Sequence, residues 1–247
     1  MRFFVLLFFA FTLFFSQINS ALAQMENTVV IDTPTAYTIE PGMYKISGLA
    51  YDEGGAEVKT VIGIHYNVYL GISFDVQHAI GKQNPNPNIP GVIAKLKFTD
   101  GFPTFPLAIA LGYDSFCGGN EGRENEERSD NELNRMRYGP YLVFSAPVFL
   151  FDAEQYISFG IKTPTQPDYV PDDTSYFVGF DMPLSESFRF KTEAERIYWD
   201  FKDFDDWLLG FGLKYSYFEQ VGLEFDIILQ KDEKPNRILR LEYSDEF

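Results

Sequence analysis

Charged residues recur at every second position through several stretches of this chain. Lys95 and Lys97 alternate with Ala94, Leu96 and Phe98, and Arg189, Lys191, Glu193 and Glu195 alternate with Phe188, Phe190, Thr192 and Ala194. The same spacing sets Lys214 beside Leu213 and Tyr215, Glu224 and Asp226 among Leu223, Phe225 and Ile227, and Arg240 and Glu242 among Leu239, Leu241 and Tyr243. Lys59, Asp75 and Asp114 fall on the matching positions of their own alternating runs. A period of two puts each set on one face of a β-strand. Fixed charges gathered on one face support two chemistries. They can line a pore and set its ion selectivity, or they can pair across strands and fill a narrow interior.

Other chemistries fit less well. A lipid hydrolase needs a Ser, a His and an orienting polar group together on the lipid-facing side. The two histidines are His65, on the inward parity, and His78, in a loop. No enzyme activity, catalytic residue or cofactor site is expected. Cys117 is the single cysteine, which excludes an internal disulfide and any Cys-based metal site. The acidic stretches Asp172-Asp173 and Asp203 to Asp206 could hold a divalent cation that bridges lipid phosphates. They lack a calcium-loop pattern and read first as solvated loop charge. A net charge of −16 argues against nucleic acid as a partner.

The elements that must position these residues are strands. The clearest pair runs from Trp207 to Gln230: Trp207, Leu209, Phe211, Leu213, Tyr215 and Tyr217 face one way, and after Phe218-Glu219-Gln220 the alternation resumes through Leu229. Each arm has the length of about ten residues that a tilted strand needs to cross a bilayer. Segments of the same kind cover about 43–51, 56–66, 68–77, 92–99, 107–114, 138–147, 154–163, 176–182, 188–195 and 237–243. The sixth and seventh have less definite parity, because Pro140 and Pro147 fit poorly in a ladder. Connections alternate between short and long, with the long ones near 78–90, 117–137, 164–174 and 198–206. Outer-membrane barrels show this pattern, with short periplasmic turns and longer external loops. The fold expected is all-β: a closed antiparallel transmembrane β-barrel of about twelve strands, within a range of 10–14, in up-and-down order. A soluble sandwich is the competing architecture. Its solvated face would carry long charged residues, whereas the polar faces here are rich in Gly, Ala and Ser.

The chain opens with Met1-Arg2, an apolar run from Phe3 to Phe15, and Ala21-Leu22-Ala23. That is the pattern of a cleaved secretory signal peptide, residues 1–23. Residues 24–41 hold little periodicity and are expected to form an N-terminal periplasmic extension before a barrel of residues 42–247. Tyr66, Tyr69, Tyr113, Tyr138, Tyr198, Trp199, Trp207 and Tyr217 lie near strand ends and suit interfacial girdles. The expected location is the bacterial outer membrane, with its lipids as partners.

Several short signatures stand in a recognisable order. They are Ile39-Glu40-Pro41-Gly42, Asn84-Pro85-Asn86-Pro87 leading to Pro90-Gly91-Val92, and Pro106 to Ser115. Phe177-Val178-Gly179-Phe180-Asp181, Leu223-Glu224-Phe225-Asp226 and Arg240-Leu241-Glu242-Tyr243 follow. In this the chain resembles largely uncharacterised bacterial outer-membrane barrels similar to YjbH-like proteins. The resemblance implies an outer-membrane barrel with a link to exported polysaccharide, and it carries over no catalytic residues. Terminal Phe247, preceded by Leu239, Leu241 and Tyr243 at alternate positions, looks like the signal read by the barrel-assembly machinery; Asp245 departs from it. The function expected is a narrow pore, or a structural envelope protein, serving polysaccharide export or uptake of a small solute. The alternative is a non-conducting surface-binding or envelope-assembly protein that acts through its external loops.

Overall fold

Strands with one large apolar face and one small or charged face need two environments. The computed structural model of the protein supplies both by closing a single antiparallel sheet on itself. It describes residues 27–87, 90–101, 106–114, 139–150, 153–163, 174–198, 207–218, 220–231 and 234–247. The strands are β1 (Met43–Tyr51), β2 (Gly55–His65), β3 (Val68–Gln77), β4 (Asn86–Pro87), β5 (Gly91–Thr99), β6 (Ala108–Asp114) and β7 (Gly139–Leu150). β8 (Ala153–Lys162), β9 (Ser175–Pro183), β10 (Phe188–Tyr198), β11 (Leu208–Tyr217), β12 (Val221–Leu229) and β13 (Asn236–Glu246) complete the order.

β4 pairs only with the end of β3 and stands outside the ring. The other twelve strands each pair with their sequence neighbours, and β13 returns to β1 to close the barrel. Closure removes every free edge, which a sheet in hydrocarbon requires because no water is there to satisfy its backbone. The seam joins the two chain ends: Met43 lies opposite Glu246, and Phe247 N donates to Gly42 O at 2.9 Å. Both ends therefore sit at the same mouth as the turns at 66–67, 184–187 and 218–220, the mouth called terminal below.

Burial inverts the rule for a water-soluble protein. On β3, Leu70, Ile72 and Phe74 are each 49% exposed, while Tyr69, Ser73 and Asp75 are buried. On β11 and β12, Leu213, Leu223 and Phe225 point outward, and Lys214, Glu224 and Asp226 inward. An apolar outer surface continuous around a closed sheet belongs in lipid. The sandwich alternative gives no such inversion.

The alternation is kept through the prolines of one strand and is interrupted by three register shifts. β7 runs straight through Pro140 and Pro147, with Tyr141, Val143 and Ser145 inward. The register between β5 and β6 shifts between Lys97 and Thr99. In β10 it shifts between Ala194 and Ile197, where Arg196 adopts φ 55°. That bulge turns consecutive residues, Glu195 and Arg196, into the interior. A further shift between Gly63 and His65 explains one correction: His65 is exposed at the terminal mouth, not inward, and its Nδ1 accepts from Asn67 N at 3.3 Å.

The girdle reading holds at some positions and fails at one. Tyr66 and Tyr217 are exposed near the terminal mouth. Tyr69 lies on the inward parity of β3 and is 3% exposed, so it belongs to the lumen. Tyr113 and Trp207 are half-buried. Tyr138 and Trp199, and the acidic stretches 172–173 and 203–206, lie outside the described residues, as does the side chain of Tyr198.

Candidate functional site: the filled lumen

The lumen is occupied by the chain's own N-terminal segment. Residues 28–35 form a small hairpin: Val29 bridges Pro34, Val30 N donates to Thr33 O at 2.8 Å, and Thr35 N to Thr28 O at 3.1 Å. Ile31 and Asp32 form its tip. Val30, Ile31, Thr33, Ala36 and Thr38 are each at most 1% exposed. The segment expected as an extension from the barrel, described from Asn27 onward, thus folds back inside it before β1 begins. Glycine on the wall makes the room. A Cβ on Gly179 would stand 2.7 Å from Val30 Cγ2, and one on Gly210 would stand 3.1 Å from Ile31 Cδ1.

A buried segment must have its backbone satisfied, and here the wall side chains do much of it. Glu193 accepts from Ile31 N at 3.0 Å, Asp32 N at 3.1 Å, Thr33 N at 3.0 Å and Thr33 Oγ1 at 2.8 Å. Lys95 Nζ donates to the carbonyls of Thr28, Thr35 and Tyr37 at 3.0, 2.8 and 3.2 Å. It also lies over the rings of Tyr69 and Tyr141, 5.0 and 5.9 Å from their centroids. Arg240 donates to Ile31 O at 2.7 Å, and Ser145 Oγ accepts from Ala36 N at 2.8 Å. Below the hairpin tip, Ala36 packs into an apolar pocket of Ala108, Ala110, Val143 and Phe177. Ile39 packs against Val61, Tyr69 and Ile93.

The inward charges form a connected network around this hairpin. Glu242 pairs with Lys45 at 2.7 Å and with Lys214, and Lys214 also donates to Asn27 Oδ1 at 3.2 Å. Asn27 Nδ2 donates to Asp181, which Arg189 meets at 2.9 Å. Lys191 pairs with Glu224 at 2.7 Å, and Arg240 joins Glu224 at 3.5 Å to Asp32 at 3.1 Å. Lys162 pairs with Glu195, and Lys59 with Asp114 at 3.0 Å and Glu57 at 3.6 Å. Lys97 reaches Asp100 at 2.7 Å. Asp75 accepts from Tyr51 Oη at 2.8 Å. Asp226 is fully buried and neither carboxylate oxygen meets a hydrogen-bond donor among the described residues.

Every candidate lining residue is thus on the inner side of the wall. Lys95, Lys97, Lys191, Glu193, Glu195, Lys214, Glu224, Asp226, Arg240, Glu242 and Asp75 are buried, while Lys59, Asp114 and Arg189 have partly buried side chains. Most of them are engaged with one another or with the hairpin. Alternation places further charges inside. Lys45, Glu57 and Asp181 occupy inward positions of alternating runs, and all are buried. Lys162 is inward on β8, whose parity the neighbouring prolines obscured. Arg196 had no such signal, since only the bulge brings it inside.

Asp32, Glu193 and Glu195 bring three carboxylate oxygens within 4.8 Å of one another. Hydrogen bonds to the hairpin, Lys162 and Arg240 already engage them. A cavity of about 80 Å³ remains beside the hairpin. Asp32, Lys59, Asp114, Glu57, Arg240 and Glu242 are among the groups that line it.

No family model matches the chain, and no curated protein matches its sequence. Its fold is nonetheless shared. The KdgM porin superposes with a TM-score of 0.50 at 10% identity, over 83% of this chain and 99% of that one. The outer membrane protein Omp33 of Acinetobacter baumannii aligns over 84% and 99% with a TM-score of 0.44 and 9% identity. The class follows from the inverted burial and the closed twelve-strand ring, a fold shared with the KdgM porin. The protein is an integral β-barrel of the bacterial outer membrane.

Proposed function

We propose that the protein is a narrow porin-like channel for small polar solutes, held closed by residues 27–38. One observation carries this reading: the barrel interior is ionisable along its length, yet the segment that fills it is a separate piece of chain, covalently continuous with the wall, among the described residues, through the short link before Met43. A purely structural barrel can be filled by wall side chains alone, as small barrels are. Here the wall keeps glycine at the positions where the hairpin lies, which leaves a path if the hairpin departs. The balance of signs among the lining groups supports modest ion selectivity and small solutes of either charge. Transport of a polysaccharide would need that path vacated and widened, and it rests on the YjbH-like resemblance alone.

A second reading, a non-conducting barrel stabilised by its internal ion pairs, draws on the engagement of nearly every lining charge. Planar-bilayer recording separates the two. The channel reading expects brief, small openings of the purified barrel, and Lys59→Glu should move the reversal potential toward cation selectivity, because Lys59 borders the residual cavity. Silence from heat-modifiable protein, at all voltages and with the hairpin loosened, would leave the structural reading standing.

A further inference from the structure

The contacts between wall and hairpin fall chiefly on the hairpin's backbone. Glu193 takes three successive amide N–H groups, Lys95 gives to three carbonyls, Arg240 takes the carbonyl of Ile31, and Ser145 accepts the amide of Ala36. The side-chain contacts are fewer: Asn27 with Asp181 and Lys214, Thr33 with Glu193, Asp32 with Arg240, Thr38 Oγ1 donating to Tyr66 O, and the Tyr37 ring against Tyr156. A carboxylate facing a run of amide N–H groups, with an ammonium facing a run of carbonyls, reads peptide backbone in a turn. Neither arrangement depends on which side chains the turn carries, beyond their size. The buried setting strengthens such charge-assisted bonds and makes an empty site costly.

We propose that the lumen is a peptide-binding site, which the segment Asn27–Thr38 occupies in cis, and that its external ligands are short peptides able to form the same turn. This inference rests on the channel reading for its consequence, since a peptide that replaces the segment also occupies the pore. It does not rest on that reading for binding itself. The tether presents the segment at an effective concentration of about millimolar. A ligand in trans therefore gains access when the cis segment is disengaged.

The test keeps the full chain and leaves the wall intact. Ile31→Pro with Thr33→Pro removes two of the N–H groups that Glu193 accepts, so the cis segment should leave its seat. The double variant should conduct far more often than the parent. A synthetic peptide of residues 27–38, added to both chambers, should then close it, half-maximally at about 1 mM or below. The same peptide carrying both prolines should not. If the variant conducts and the native-sequence peptide leaves it open at about ten times that concentration, the peptide site is overturned while the channel reading stands. If the heat-modifiable variant is silent, the channel reading fails. Fluorescence anisotropy of the labelled peptide on the solubilised barrel then decides the site: saturable binding lost with the double-proline peptide upholds it, and no binding overturns it. Should the double variant not assemble, Ala36→Arg expels the segment from its apolar pocket and is tested with the same peptides.

Discussion

Glu242→Ala should destabilise the barrel more than any other single truncation in the lumen. Glu242 is 1% exposed and is the shared partner of Lys45 and Lys214, whose side chains are 6% and 1% exposed. Removing it leaves two ammonium groups beside each other with no carboxylate between them, inside a wall whose outer face is lipid. Breaking a buried pair from one side costs about 3–5 kcal/mol, because the remaining charge keeps its desolvation penalty and loses its attraction. Two orphaned charges put this case at the upper end. A urea titration in lipid vesicles, read by the shift between folded and heat-unfolded bands, should show the midpoint falling sharply. Glu242→Gln, which keeps the shape and one acceptor oxygen for a lysine, should fall less. A midpoint unchanged by the alanine variant would mean that water reaches these lysines freely and that the lumen is not packed as described.

Gly179→Val should open the barrel. A Cβ at this position meets Val30 Cγ2 at 2.7 Å, Thr33 Oγ1 at 2.9 Å and Val30 Cβ at 3.1 Å. All three atoms belong to the hairpin, so the added bulk pushes against the segment and not against neighbouring strands. Overpacking of a well-filled interior costs about 1–3 kcal/mol. The ring is closed by backbone ladders on both sides of every strand, whereas the hairpin is held by side-chain contacts and is covalently continuous with the ring through the link before Met43. Strain should therefore be relieved by expelling the hairpin, and valine itself suits a strand. Conductance should rise well above the parent level in planar bilayers. Gly48→Val is the control, because a Cβ there meets nothing within 4 Å, and it should behave as the parent does. Equal conductance of the two variants would show that the hairpin does not obstruct the path.

Much of the barrel was legible because lipid and lumen impose opposite demands on alternate residues. From Val68 to Gln77, from Leu208 to Tyr217 and from Val221 to Leu229 the alternation is unbroken, and strand limits and inward faces follow from it directly. Closure was legible less directly, from alternating loop lengths and an even strand count. The inward charges could be placed on a face, but not paired. Glu242 lies between Lys45 and Lys214 because β1, β13 and β11 curve around a common interior, and period-two reasoning within one strand contains no curvature. Bulges escaped for a similar reason: Arg196 reaches the lumen only through one extra residue in β10.

The hairpin was the least legible feature. Val29, Val30 and Ile31 form an apolar run without strand alternation, followed by Asp32-Thr33-Pro34-Thr35, which reads as loop. Its position inside the barrel depends on acceptors and donors from Glu193, Lys95, Ser145 and Arg240, all distant in sequence. One local sign pointed there. Gly179, Gly210 and Gly212 are inward glycines on β9 and β11, and together they hollow the wall where Val30 and Ile31 lie.

The seating of the hairpin in the lumen is tested most directly by thiol accessibility beside its tip. In a Cys117→Ser background, Thr33→Cys places one thiol at a position with no exposed surface, facing Glu193 and Gly179. Gln83→Cys, on an exposed loop, gives the reference rate. Assembled barrels in the outer membrane are treated with a water-soluble maleimide, and labelling is followed over time. The filled lumen predicts that Cys at position 33 reacts far more slowly than the reference until the barrel is heat-unfolded, when the two rates converge. Labelling of the assembled protein at the reference rate would contradict it, because a hairpin that reacts as a free loop cannot be the segment that fills the barrel.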